Sequence, residues 1–162
     1  MKQTDFFLKK LKLDAKTIVV NYTKAGSDEE IQSTKKNIPH PDMRAKLALL
    51  KPLLADIMCT DAEKFNINGI VLSAIKDNPQ VMILGQFVTV SGHKIVINSH
   101  NILYDGGDYE GQDKLESIVG DITTEVFEYL FGRKQAQLDL VDESEKLEMV
   151  EQEPEVKKSK KK

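Results

Sequence analysis

Three apolar-rich runs with strand-like alternation, residues 67–75, 81–90 and 94–104, follow one another through links too short to hold a helix. The links are Lys76-Asp77-Asn78-Pro79-Gln80 and the tight Ser91-Gly92-His93 turn. Parallel neighbours need a crossover of a dozen or more residues, so these strands must run antiparallel, as a β-meander. A sheet that alternates in this way has one apolar face to bury, and the rest of the chain has to cover it.

Two segments can do so. Pro41 and Asp42 open a helix, because proline lacks a donor that the first turn leaves unpaired and an acid suits the positive end of the helix dipole. Met43, Leu47, Leu50, Leu54 and Ile57 then recur at helical spacing, with Pro52 expected to kink the helix or divide it in two. Leu115, Ile118, Val119, Ile122, Val126, Tyr129 and Leu130 mark a last amphipathic helix that stops at Gly132. At the other end of the chain, Phe6–Leu13 and Thr17–Thr23 read as a hairpin around Asp14-Ala15-Lys16. Residues 24–38 read as a polar loop with room for an edge strand around Ile31. The expected architecture is a two-layer α+β domain over residues 1–137. Its antiparallel sheet, hairpin plus three-stranded meander, is covered on one face by two helices.

Residues 138–162 differ in kind. Asp139 to Glu155 holds eight acidic residues against Lys146 alone, and Lys157 to Lys162 is lysine apart from Ser159. So little apolar area cannot offset the entropy of ordering, and a flexible, disordered tail is expected. The chain of 162 residues has a formal net charge of −3, but removing the tail leaves the body close to neutral, so any basic surface must be local. Arginine occurs only at positions 44 and 133. No apolar run approaches the roughly 20 residues that cross a bilayer, and Met1 to Asp5 are too polar for a secretory signal. A cytoplasmic protein without a membrane partner is expected. The single cysteine, Cys59, reads as a small buried apolar residue.

Catalytic patterns are missing. His40, His93 and His100 have no zinc-like spacing, and neither a Walker loop nor a dinucleotide-binding glycine fingerprint occurs. No catalytic residue, metal ligand or cofactor is therefore assigned. Asp105-Gly106-Gly107-Asp108 reads as a turn between strand and helix, with a metal-dependent hydrolase or nuclease around its two aspartates as a minor alternative. For nucleic acid the candidates are Lys9, Lys10, Lys12 and Lys16 on the hairpin, with Lys35 and Lys36 beyond it. Phe6, Phe7, Tyr22, Phe87 and Tyr104 could stack on bases wherever they point outward, although strand alternation sends most of them to the core. Open strand edges admit a homo-oligomer.

Gln137-Leu138-Asp139-Leu140-Val141 resembles the short peptide by which bacterial DNA polymerases and repair proteins dock on the sliding clamp. In that resemblance Gln137 bonds at the pocket rim while Leu138, Leu140 and Val141 fill an apolar groove; Val141 replaces the usual phenylalanine and implies weaker binding. A second resemblance covers most of residues 3–141. His40-Pro41-Asp42 before a leucine-rich helix, the meander, and Glu125-Val126-Phe127-Glu128-Tyr129-Leu130 running into Gly132-Arg133-Lys134-Gln135-Ala136-Gln137 are similar to a diffuse set of small proteins of tailed phages and prophages. The resemblances imply a phage accessory protein near DNA replication or recombination in a bacterial host; with the lysine and aromatic candidates and the missing catalytic patterns, the expectation is a non-enzymatic protein acting on single-stranded DNA, a replisome partner, or both. The alternative of another class is an anti-defence protein that binds a host protein or a nucleotide signal.

Overall fold

The computed structural model describes residues 1–104 and 111–132. The expected disordered tail, the docking peptide Gln137–Val141, and Asp105 and Asp108 all lie outside them. The chain divides into two compact units, Met1–Phe127 and Glu128–Lys162.

An antiparallel sheet with helices packed on it makes this an α+β fold. Its strands are β1 (Phe6–Leu13), β2 (Ile18–Lys24), β3 (Ile31–Lys35), β4 (Phe65–Ile75), β5 (Asn78–Val88), β6 (Lys94–Asn98) and β7 (Ile102–Leu103). They are ordered β3-β2-β1-β4-β5-β6, with β7 also paired to β5. The hairpin and the meander therefore share one sheet, joined where β1 meets β4. The edge strand allowed for around Ile31 is β3.

Two strand limits differ from expectation. The β4–β5 link is only Lys76-Asp77, both at positive φ (51° and 67°), the conformation of a two-residue hairpin turn that matches strand twist. That turn lets β5 begin at Asn78, with Pro79 near its end, where a missing N–H costs little. The expected strand 94–104 is interrupted. Ser99 bonds back to Ile83 through both its backbone N–H and its hydroxyl, which accepts the Ile83 N–H at 2.9 Å, and the pairing resumes only at β7.

The helical segment at 41–57 divides, as Pro52 required. Helix α1 (Pro41–Ala48) ends before Leu50, and α2 (Lys51–Ile57) begins with Pro52 in its first turn, where no hydrogen bond is lost. Met43, Leu47, Leu50 and Leu54 are buried. Cys59 corrects the expectation of a buried thiol: it is exposed, at φ 50°. Its N–H bonds to the Asp56 carbonyl and the next N–H, of Thr60, to Ala55, so Cys59 fills the left-handed position that usually closes a helix with glycine. Helix α3 (Gln112–Phe131) buries Leu115, Ile118, Val119, Ile122 and Val126. In the second unit its last turn closes as the sequence implied, with the Gly132 N–H on the Glu128 carbonyl at 2.9 Å.

The covered face of the sheet is read from burial. Phe6, Leu8, Leu11 and Leu13 of β1, Ile18, Val20 and Tyr22 of β2, Ile70 of β4, and Val81 and Ile83 of β5 are all buried. Phe6 meets Tyr22 and, edge to face, Phe127 of α3, with ring centroids 5.1 and 5.6 Å apart.

Candidate functional site

A short seam where the hairpin joins the meander separates two clefts. β1 pairs with β4 over only three positions, Lys10 with Val71, Leu11 with Ile70 and Lys12 with Gly69. Gly69 makes the contact close, since a Cβ there would lie 1.9 Å from the Leu11 carbonyl oxygen. On either side of this short ladder the strands separate, helped by a register shift in β1 between Leu8 and Lys10 and another in β4 between Ile67 and Gly69. Each bulge adds one residue and sharpens the local twist.

At the hairpin end opens a polar cleft of about 550 Å³. Its wall holds Arg44 from α1, Lys51 from α2 and Lys94 from β6, together with the amide side chains Asn66, Asn68 and Gln86. Asp14 is its acid, and the Asp14 carbonyl accepts a bond from the Arg44 guanidinium at 3.2 Å, which fixes that side chain at the rim. Three cations from three elements facing amide groups suit an anionic ligand with hydrogen-bonding edges. Arginine in particular can present two parallel donors to a phosphate.

At the other end lies a more apolar cleft of about 410 Å³, whose wall includes Phe7, Leu8, Leu72 and Ala74 of the parted strands and Val119 and Gly120 of α3. Lys9 and Glu116 are charged groups on its wall.

The lysines expected to contact nucleic acid fall into separate places. Lys10 and Lys12 sit opposite Asn21 and Val19 on β2, on the face of β1 turned away from buried Leu11 and Leu13. Phe7 shares that open face and is 51% exposed. Lys9 is the extra residue of the bulge, beside the apolar cleft, and Lys16 is exposed in the hairpin turn next to Ala15 of the polar cleft wall. Lys35 pairs with buried Ile18 at the far edge, two strands and roughly 10 Å from β1, and Lys36 follows it, so neither joins the group. Of the aromatic candidates, Phe6 and Tyr22 are core, while Phe87 and Tyr104 are half-buried.

His40, Asp42 and Glu125 bring one ligand atom each within 4.8 Å of one another, a set that sequence spacing did not reveal because Glu125 comes from α3. The first two already serve the start of α1: His40 Nδ1 accepts the Asp42 N–H at 3.2 Å, and the Asp42 carboxylate lies in the first turn. The positive pole of that helix favours carboxylates and opposes a further cation. His93 and His100 are exposed and stand apart from this set.

Among the described residues no helix is long and apolar enough to cross a membrane. Comparison with protein-family models, with curated proteins and with solved structures found no match to the chain.

Proposed function

We propose that this protein is a non-catalytic binder of single-stranded nucleic acid, whose backbone runs over the open face of β1 and enters the polar cleft. One observation carries the reading: Phe7, Lys10 and Lys12 share one face of one strand, and Lys12 sits opposite Gly69, next to Asn68 in the cleft where Arg44, Lys51 and Lys94 converge. An exposed ring for stacking followed by a line of cations is the arrangement of sequence-tolerant single-strand binders.

A body close to neutral confines any grip on phosphate to this local group. Fluorescence anisotropy with a labelled single-stranded oligonucleotide tests the reading. Affinity should fall as salt rises, because neutralised phosphates release counterions; absence of binding at low salt would remove it.

The volume of the polar cleft favours a second reading, a nucleotide signal held there alone, since about 550 Å³ lies within the range of small-ligand sites. Thermal stabilisation by mononucleotides or cyclic nucleotides, without oligonucleotide binding, would select it. The phage setting and docking on a sliding clamp rest on sequence resemblance. For docking, a peptide of residues 133–145 should bind a bacterial clamp and lose that binding with Leu138→Ala or Leu140→Ala; equal binding by all three peptides would end the idea.

A further inference from the structure

The two outer strands of the sheet differ in chemistry. β3 carries Gln32, Ser33, Thr34 and Lys35, polar groups that discourage another strand from adding. β6 reads Lys94-Ile95-Val96-Ile97-Asn98 and, among the described residues, has no strand on its outer side. Ile95 is 49% and Val96 71% exposed, on opposite faces of the strand, and Val90 in the turn leading to it is fully exposed. Proline and bulges, two usual guards of an edge, do not occur within β6, and its one charge, Lys94, stands at the first position of the strand and lines the polar cleft.

We propose that β6 is a self-association edge, pairing antiparallel with β6 of a second copy about a twofold axis at Val96. The sequence of the strand selects this occupant. In that register Val96 faces its own counterpart, Ile95 faces Ile97 and Lys94 faces Asn98, so apolar groups meet apolar groups and the lysines avoid each other. Directly opposed residues lie on the same side of an antiparallel pair, and such cross-strand pairs are what stabilise a sheet. The same strand supplies both halves, so the contact closes at two copies. A five-residue pair is smaller than the roughly 1,200–2,000 Å² of standard stable interfaces, which makes the dimer reversible and concentration-dependent.

Sedimentation velocity over a concentration series, on the full chain and on Asn98→Glu and Asn98→Lys variants, tests the register. The wild type should pass from monomer to dimer as concentration rises. Asn98→Glu places a carboxylate across from Lys94 twice per dimer and should tighten association several-fold at low salt; Asn98→Lys should weaken it by a similar factor. Both changes are at an exposed position, and far-UV circular dichroism checks that each variant keeps its fold. A wild type that stays monomeric throughout, assembly beyond two copies, or equal shifts in the two variants would overturn the proposal.

Discussion

Replacing Gly69 with alanine tests the seam on which both clefts depend. The added Cβ would sit 1.9 Å from the Leu11 carbonyl oxygen and 2.8 Å from its carbon. Real Cβ contacts stay above 3.0 Å, so β1 and β4 would have to separate by more than an ångström. Neither obstacle is a flexible side-chain end. Both belong to the backbone of a strand held on its other side by β2. Only three residue pairs join β1 to β4, so a shift of that size disrupts the whole ladder. Losing two to four hydrogen bonds at about 0.5–1.5 kcal/mol each gives a destabilisation of about 1–6 kcal/mol, centred on about 3 kcal/mol. Against a typical total stability of about 5–15 kcal/mol the central value is a large loss, equivalent to roughly 6–12 °C in Tm. Urea unfolding followed by circular dichroism measures it, with an unchanged slope showing that the unfolded state is unaltered. A Gly69→Ala protein within about 0.5 kcal/mol of wild type would refute the claim that close approach at this seam requires glycine.

Two other substitutions should act in the opposite direction. Gly120 lies inside α3 with nothing within 4 Å of an added Cβ, so Gly120→Ala should stabilise by about 0.5–1 kcal/mol in the same unfolding assay. Cys59→Gly should stabilise by about 1 kcal/mol, because glycine holds the left-handed closing position of α2 without a Cβ penalty; the wild-type thiol should also react with a disulfide reagent in the folded protein.

Much of the fold was legible because its signals are local. The alternation of 67–104 with short links dictates an antiparallel meander, and the stripe from Leu115 to Val126 dictates a covering helix. Pro52 announced the break between α1 and α2. The extent of β5 was less legible, because a proline and two polar residues at 78–80 read as a link until the two-residue turn at Lys76-Asp77 fixes the register. Cys59 misled because a helix closure usually advertises itself with glycine. The polar cleft could not be read from sequence. Arg44, Lys51 and Lys94 are scattered along the chain and converge only once β1 pairs with β4, a contact between residues almost sixty positions apart. Spacing also gave no reason to separate Lys35 and Lys36 from Lys10 and Lys12, since their distance depends on which edge β3 occupies.

Binding of single-stranded oligonucleotide to the wild type and to an Arg44→Ala, Lys51→Ala, Lys94→Ala triple variant tests the central claim most directly. All three side chains lie on the cleft wall outside the core, and the one hydrogen bond recorded for them, Arg44 to the Asp14 carbonyl, should cost the variant only about 0.5–1.5 kcal/mol of stability, which urea unfolding checks. Each lost phosphate contact should also flatten the dependence of log affinity on log salt by about one unit. The account predicts binding at low salt that is at least tenfold weaker in the variant, with a shallower salt slope. Equal affinity and equal slope in the two proteins would contradict it.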